Sequence, residues 1–222
     1  MARITDSSPG LKQSVADSFS SSPVVGVVRT ATNDEARTLA EAFLASGLQL
    51  VEITFTTPGA TELIAQLRET RATPGPPWIG AGSVTDRRRA AAAIACGAEF
   101  LVSPNVSADV AAEARQSSTF LVMGALTPSE IFTARQLGAD LVKVYPLPPI
   151  GGPAYLATIR QPLPDIPILA AGGFAASEIS AYRKAGAVAF GIGAQLLGEG
   201  DESDHKRRVE KAVSAARGEN PA

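Results

Sequence analysis

The chain has 222 residues, of which 45% are hydrophobic and 19% are charged. This composition supports one large domain with a sizeable core and is not typical of a disordered chain. The formal net charge of −2 excludes the basic excess that a dedicated nucleic-acid or anionic-membrane surface requires. We therefore expect neither a nucleic acid nor a membrane as a partner.

A single cysteine and a single histidine restrict the possible chemistry. Cys96 has no second cysteine with which to form an internal disulfide, which fits a reducing compartment. The polar, serine-rich N-terminal segment has no apolar signal core, so we expect a cytoplasmic protein. Cys96 and His205 provide no His–His or His–Cys ligand pair and no convincing Ser–His–Asp set, so no metal and no cofactor is expected.

Short β-branched and apolar runs alternate with helical stretches along the chain. A short extra helix is expected around Leu11–Ser18, before the first run, and the loop Gly198–Asp204 precedes a last, charged helix. The eight runs predict strands at Val24–Thr30, Leu48–Thr56, Trp78–Val84, Phe100–Val106, Thr119–Leu126, Leu141–Leu147, Pro167–Gly173 and Ala187–Gly193. This alternation indicates βαβ units and a parallel sheet. We expect an N-terminal extension in residues 1–22, a barrel in 23–218 and a disordered tail in 219–222.

An internal repeat supports a barrel. In four segments a helix ends, a glycine follows, and an apolar strand begins, at Gly47, Gly97, Gly138 and Gly186. A glycine in this place suits the left-handed cap that stops a helix. A βαβα pair that recurs four times gives eight units, the number that closes a (β/α)8 TIM barrel. The alternative is an open doubly wound sheet, which usually has fewer strands.

One of the five lysines lies inside an apolar strand. In the run Leu141–Tyr145, the two-residue period of a strand places Lys143 and Tyr145 on one face and Val142 and Val144 on the other. The valines suit the helix layer, so Lys143 is predicted to point into the barrel. Burial there disfavours the ammonium form, and a neutral amine can attack a carbonyl. The alternative is a structural ion pair with a buried acid.

A matching acid, Glu52, lies centrally in the second predicted strand. Glu52, Thr54 and Thr56 share one face of that strand. A carboxylate beside a Schiff-base lysine can move protons during carbinolamine formation, carbon–carbon cleavage and enamine protonation. In the structural alternative, Glu52 only neutralises Lys143. Both interpretations require the two residues to be neighbours.

Residues near the ends of other strands offer groups for binding anions. Arg29 closes the first strand at the end where barrel enzymes bind ligands, and a guanidinium there can hold a carboxylate, although a rim salt bridge is the alternative. Gly172 and Gly173 end the seventh strand and Gly193 ends the eighth. The loops after strands seven and eight of such barrels frequently bind phosphate through backbone N–H groups.

These residues lie in motifs that resemble those of the 2-keto-3-deoxy-6-phosphogluconate (KDPG) aldolase family, which includes 4-hydroxy-2-oxoglutarate (KHG) aldolases and a phosphogalactonate homologue. The resemblance covers the chain from Pro23 to Leu197. It depends on six motifs in the family's order: Val51-Glu52-Ile53-Thr54, Gly80-Ala81-Gly82-Ser83-Val84, Val102-Ser103-Pro104, Val142-Lys143-Val144-Tyr145-Pro146, Gly172-Gly173 and Gly191-Ile192-Gly193. Any one of them alone is weakly specific, whereas the set is specific.

The resemblance implies a class I aldolase that needs no metal, acts on a small 2-keto acid and usually forms a homotrimer. Lys143 corresponds to the Schiff-base lysine of the family and Glu52 to its proton shuttle. By the same resemblance the pyruvate end of the substrate contacts Arg29, Thr56, Ser83, Pro104 and Tyr145, and the phosphate contacts Gly172, Gly173, Gly193 and Ala194.

Four positions depart from the family's pattern. Thr56 stands where some members have an arginine that contacts the carboxylate, so Arg29 is expected to take that role. Ser83 replaces the usual threonine and keeps its hydroxyl, whereas Ala171 replaces a common threonine. Ala194 replaces a serine of the phosphate site, which removes a hydrogen bond worth on the order of 1 kcal/mol.

The leading expectation is cleavage of KDPG to pyruvate and glyceraldehyde 3-phosphate. Ala194 leaves open a second substrate, KHG or another unphosphorylated acid, and 2-keto-3-deoxy-6-phosphogalactonate is a third. A metal-dependent barrel aldolase or epimerase is disfavoured by the missing ligands. An alternative of a different class is a non-catalytic barrel that binds sugar phosphates, in which Lys143 and Glu52 form a structural pair.

Overall fold

The computed structural model describes residues 9–71 and 75–219. Eight parallel strands follow one another around a closed barrel, and the last pairs with the first. The strands are β1 (Val24–Val28), β2 (Leu50–Thr54), β3 (Trp78–Gly82), β4 (Phe100–Ser103), β5 (Phe120–Ala125), β6 (Leu141–Val144), β7 (Ile168–Ala171) and β8 (Ala189–Ile192). The predicted (β/α)8 barrel is therefore confirmed, and the open sheet is excluded.

The helices are α1 (Pro9–Ser21), α2 (Asn33–Ala45), α3 (Ala60–Glu69), α4 (Arg87–Ala95), α5 (Ala108–Gln116), α6 (Pro128–Gln136), α7 (Gly152–Arg160), α8 (Ile179–Lys184) and α9 (Glu202–Arg217). Helices α2 to α8 connect successive strands and, with α9 after β8, form the outer layer, whereas α1 precedes β1. Short 3-10 turns occupy Pro148–Ile150, Ala176–Glu178 and Ala194–Leu196. One large apolar cluster fills the space between this layer and the strands.

The four repeated glycines stop helices as predicted. Each adopts a positive φ, between 85° and 101°, at Gly47, Gly97, Gly138 and Gly186. L-residues with a Cβ rarely adopt that conformation, whereas glycine does so without steric penalty. The repeat in the sequence therefore marks four equivalent helix-to-strand connections.

The observed strands stop earlier than the apolar runs that predicted them. β1 ends at Val28 and β6 ends at Val144. The predicted runs extended past both ends, but the residues that follow directly, Arg29 and Tyr145, are exposed. Arg29 and Tyr145 therefore lie in loops at the opening of the barrel rather than within strands.

Helix α1 closes the amino-terminal end of the barrel and is longer than predicted. Phe19 stacks on Phe120 with ring centroids 4.9 Å apart and meets the edge of Phe100 at 5.6 Å. Trp78 Nε1 donates a 2.8 Å hydrogen bond to Ser18 Oγ. These residues belong to one buried cluster with the inward side chains of the strands. Ligand access is therefore left to the carboxyl-terminal end.

The described residues were searched for membrane-spanning helices and for clusters of metal ligands. No helix in residues 9–71 and 75–219 combines the length and the apolar character that crossing a membrane requires. Within the same ranges, no three His, Cys, Asp or Glu side chains cluster in a way that could hold a metal ion. The predicted disordered tail falls largely on residues 220–222, which lie outside the described residues.

Candidate active site

A pocket opens at the carboxyl-terminal end of the barrel, where the strand-to-helix loops meet. It is lined by Arg29, Glu52, Ser83, Val102, Ser103, Pro104, Lys143 and Tyr145. Six of these eight residues were predicted from the sequence as catalytic or pyruvate-binding. The space open to the centres of water molecules is about 20 Å³, which is enough for about one water molecule.

Lys143 and Glu52 meet inside the barrel. Lys143 Nζ lies 3.5 Å from Glu52 Oε2, and the two side chains are 9% and 3% exposed. The other carboxylate oxygen, Glu52 Oε1, is buried and has no hydrogen-bond partner within the described part of the chain. A distance of 3.5 Å is long for a hydrogen bond, so the pair is loose. An amine beside a carboxylate with an unused oxygen can exchange protons with a bound molecule.

Glycines on neighbouring strands make room for this pair. A Cβ added at Gly82 would lie only 2.0 Å from Glu52 Oε1. Gly124 pairs in register with Lys143, and a Cβ there would lie 2.3 Å from the carbonyl carbon of Pro104. Side chains at these two positions would displace Glu52 and the loop after β4. The pocket therefore exists because β3 and β5 carry glycine at these positions.

Ser83 lines the pocket in a left-handed backbone conformation. Its φ is 56°, which is uncommon for a residue other than glycine and is concentrated at functional sites. Arg89 donates a 3.1 Å hydrogen bond to the Ser83 carbonyl and another of 3.1 Å to Thr85 Oγ1. The conformation is therefore supported by the first turn of α4.

The aromatic ring of Tyr145 lies beside the lysine. The Lys143 Nζ atom is 5.8 Å from the ring centroid, within the range of a cation–π contact. Tyr145 is 37% exposed, and Arg29 and Pro104 are also exposed. These three side chains surround the opening of the pocket, so a small acid that reaches Lys143 must pass them.

One predicted pyruvate-binding residue is not brought into the pocket lining. Thr56 lies in the exposed loop after β2, with its hydroxyl 3.0 Å from that of the buried Thr54. The role assigned to Thr56 by the resemblance stays a prediction. The contact observed for its hydroxyl is with Thr54, the last residue of β2.

The predicted phosphate loops follow β7 and β8, beside the pocket lining. Gly172 and Gly173 have φ values of 135° and 89°, and Gln195 Nε2 donates to the Phe174 carbonyl at 3.4 Å, which links the two loops. The Glu178 carboxylate accepts a 2.7 Å hydrogen bond from the Ala175 N–H. Ala194 is exposed. One backbone donor of these loops is therefore already occupied by a carboxylate.

The sequence interpretation missed Val102 and Ser103 as lining residues. Ser103 is fully buried at the end of β4, and its hydroxyl donates to the Asn105 carbonyl at 2.9 Å and accepts weakly from the Gly124 N–H at 3.4 Å. The available signal was a serine in an otherwise apolar strand. A buried hydroxyl costs stability unless it is hydrogen-bonded, so its position is informative.

The closed barrel and the pocket at the carboxyl ends of its strands define the protein as a TIM-barrel enzyme. A family profile described as "Aldolase: KDPG and KHG aldolase" matches residues 15–212. The chain therefore belongs to the KDPG and KHG aldolase family and is a lyase.

Individual relatives agree with the family. The chain is 35% identical over 162 residues to the 2-dehydro-3-deoxy-phosphogluconate aldolase of Pseudomonas aeruginosa, covering 72% of this chain and 70% of that protein. It is 29% identical over 179 residues to the 2-dehydro-3-deoxy-6-phosphogalactonate aldolase of Escherichia coli, covering 80% and 86%. A solved KDPG aldolase from Legionella pneumophila, with pyruvate captured as a covalent carbinolamine, has 25% identity and a TM-score of 0.70, covering 90% and 95%.

Proposed function

We propose that this protein is a class I aldolase that cleaves KDPG reversibly to pyruvate and glyceraldehyde 3-phosphate through a Schiff base on Lys143. The observation that carries the proposal is the buried, loosely paired Lys143 and Glu52 at the base of the pocket, 3.5 Å apart. The names of the relatives and the carbinolamine seen in the Legionella enzyme support it. No metal or cofactor takes part in the proposed reaction.

The proposed reaction begins with attack of the Lys143 amine on the C2 ketone. The carbinolamine loses water to give an iminium, which accepts the electron pair of the breaking C3–C4 bond while the C4 hydroxyl loses its proton. The aldehyde leaves, the pyruvate enamine takes a proton at C3, and water hydrolyses the resulting iminium. Glu52 receives and returns these protons, directly or through one water, because its Oε1 has no hydrogen-bond partner among the residues that the structure describes.

The remaining pocket residues are proposed to hold the two ends of the substrate. Arg29 and Ser83 would bind the carboxylate, Pro104 and Tyr145 would pack against the pyruvate carbons, and Thr56 would act through its contact with Thr54. The phosphate would bind to the backbone N–H groups of Gly172, Gly173, Gly193 and Ala194, since these glycines let an anion approach the chain closely.

Borohydride trapping with pyruvate tests this mechanism. We expect one pyruvyl adduct on Lys143 and none on Lys12, Lys184, Lys206 or Lys211, because only Lys143 lies in the pocket. Peptide mass mapping of the reduced protein makes the measurement. Lys143→Ala should abolish turnover while the fold survives, and Lys184→Ala, at an exposed position of α8, is the control. A non-catalytic barrel, or a metal-dependent enzyme that retains no adduct, would give no labelled peptide.

An unphosphorylated substrate such as KHG is the second candidate, since two observations favour it. Ala194 supplies no hydroxyl, and the Glu178 carboxylate places a negative charge on the loop where a phosphate would bind. Comparing kcat/KM for KDPG, 2-keto-3-deoxy-6-phosphogalactonate and KHG separates the candidates. Equal efficiency with phosphorylated and unphosphorylated acids would contradict the phosphate site, without affecting the Schiff base.

We also propose a homotrimer in the cytoplasm. Phe132 on α6 is 50% exposed and Val188 is 48% exposed, so each chain carries large apolar groups that association can cover. Sedimentation equilibrium should give three times the mass of the chain. A monomeric mass at micromolar concentration would contradict the trimer and leave the proposed chemistry intact.

A further inference from the structure

Arg29 lies just beyond β1, where the residue-by-residue pairing of β1 with β2 has ended. It follows Val28, the last residue of β1, and its side chain is exposed at the pocket. Within residues 9–71 and 75–219 its guanidinium forms no ion pair. The direction of this side chain therefore depends on how the backbone on either side of it is held.

Two buried threonines, one at the end of β2 and one in the loop that follows it, hold that backbone on both sides. Thr54 Oγ1 donates a 2.9 Å hydrogen bond to the carbonyl of Val28, the residue before Arg29. The N–H of Thr30, the residue after Arg29, donates to Thr57 Oγ1 at 3.3 Å. Thr54 is fully buried and Thr57 is 3% exposed. A buried hydroxyl is retained at low free-energy cost only when it is hydrogen-bonded. Thr54 is bonded to the last residue of β1 and Thr57 to the loop that follows β1.

Thr54 is the centre of this arrangement. A hydroxyl has one proton, and that of Thr54 goes to Val28. Thr56 Oγ1, 3.0 Å away, must therefore donate to Thr54, and Thr57 Oγ1 lies within 3.4 Å of the same oxygen. Three hydroxyls at the end of β2 thus form one connected group that continues the contact between β1 and β2 past the last ladder residues.

We propose that Thr54 and Thr57 are positioning residues that set the carboxylate affinity of the site by fixing the backbone around Arg29. The proposal rests on the proposed function, since it assumes that Arg29 binds the keto acid carboxylate. Neither threonine lines the pocket, so both act through Arg29 and not by touching substrate. A mere packing role would need the methyl groups of these side chains but not their hydroxyls.

The test compares Thr54→Val, which keeps the shape of the side chain and removes its hydroxyl, with Thr54→Ser, which keeps the hydroxyl. The readout is the rate of borohydride inactivation as a function of the concentration of pyruvate or of methyl pyruvate, its neutral ester. For Thr54→Val we expect the half-saturating concentration of pyruvate to rise about tenfold, the effect of losing one buried hydrogen bond. Methyl pyruvate should be unaffected, and the maximal rate should not change.

Additional variants keep the result interpretable. Thr54→Ser should behave as the unmodified protein. Thr57→Val should raise the half-saturating concentration of pyruvate as Thr54→Val does, and it replaces Thr54→Val in the test if that variant folds poorly. Thr70→Val is the control for the same chemical change away from the pocket, because the hydroxyl of this exposed residue makes a 3.0 Å bond to the Leu67 carbonyl at the end of α3. In an Arg29→Met background, Thr54→Val should have no further effect on pyruvate, as expected for coupled residues.

The possible failures are distinguishable. Absence of any adduct in the unmodified protein overturns the proposed function and this inference together. If Arg29→Met leaves the pyruvate dependence unchanged, Arg29 is not the carboxylate ligand and the inference falls while the Schiff base stands. If Arg29→Met weakens pyruvate binding but the threonine variants shift neither probe, or shift both equally, the positioning role alone is wrong.

Discussion

Two glutamates are buried to the same extent at opposite ends of the barrel, and their surroundings differ. Glu52 and Glu99 are each 2% exposed. Glu99 accepts two hydrogen bonds from Arg71, at 2.7 and 3.1 Å, and one from the Ile79 N–H at 2.9 Å, with Arg68 Nε 3.6 Å away. Among the described residues, Glu52 has only Lys143 at 3.5 Å as a polar partner, and its second oxygen has none.

The difference distinguishes a structural carboxylate from one that can react. Glu99 lies just before β4, at the end of the barrel that α1 closes, and its oxygens are occupied by groups of the protein. Glu52 faces a pocket with room for a water molecule. Equal burial therefore does not indicate an equal role, because what matters is whether hydrogen-bonding capacity remains for a ligand.

The largest effect on activity within this comparison is expected at Glu52. Glu52→Gln removes the proton acceptor and should lower kcat by about 10²–10⁴-fold, the usual contribution of general acid–base catalysis. Its free energy of unfolding should fall less than that of the Glu99 variant, since the one polar contact of Glu52 within residues 9–71 and 75–219 is long, at 3.5 Å. Steady-state kinetics and urea unfolding give the two values. An unchanged kcat would show that Glu52 only neutralises the lysine.

Glu99→Gln should show the opposite pattern. It breaks a buried ion pair, but Arg71 and Arg68 retain some access to water, so we expect a loss of about 2–4 kcal/mol in the free energy of unfolding. The kcat of the folded fraction should not change. Asp109→Asn is the control, because the Arg87–Asp109 pair is exposed and should contribute less than about 1 kcal/mol. A large fall in the kcat of Glu99→Gln would contradict the assignment of Glu99 as a structural carboxylate and Glu52 as a reactive one.

Gly82→Ala tests whether the position of Glu52 depends on the space that glycine leaves. The added methyl would overlap the carboxylate, and relieving such a clash typically costs about 1–3 kcal/mol, or about tenfold or more in rate if it falls on the reacting geometry. Gly10→Ala is the matched control because nothing lies within 4 Å of the added Cβ. Wild-type kcat in Gly82→Ala would mean that Glu52 can react from a different position.

The smallest effect concerns an exposed carboxylate that is as well hydrogen-bonded as Glu99. The backbone N–H groups of Thr127 and Leu126, followed by the Thr127 hydroxyl, hold the pKa of Glu130 below its ordinary value. Because the folded pKa is lowered, the stabilisation is present above the unfolded pKa and is lost as pH falls through the folded pKa. Between pH 6 and pH 3, the free energy of unfolding of Glu130→Gln should fall by about 0.3–1 kcal/mol less than that of the unmodified protein. Thermal unfolding at a series of pH values measures the difference. An identical pH profile would contradict the hydrogen-bond assignment.

Residues whose role shows in a short stretch of sequence could be predicted, whereas roles that depend on partners far away in the chain could not. Lys143 was found because a lysine inside an apolar strand violates a pattern that extends over only five residues. Glu99 was not singled out, because it lies where a strand begins and its partner Arg71 is 28 residues away in the chain. Thr54 was placed on the same face as Glu52, but its bond to Val28, 26 residues away, depends on the register of β1 against β2.

Local patterns in the chain were enough to predict the eight strands, the glycine-stopped helices between them and the inward direction of Lys143 and Glu52. These features follow from periods of two residues and from local backbone preferences. The folded barrel was needed to tell which buried groups are saturated with hydrogen bonds and which are left open. Those contacts join residues far apart in the chain, and their distances depend on barrel closure, on strand register and on the space left by Gly82 and Gly124.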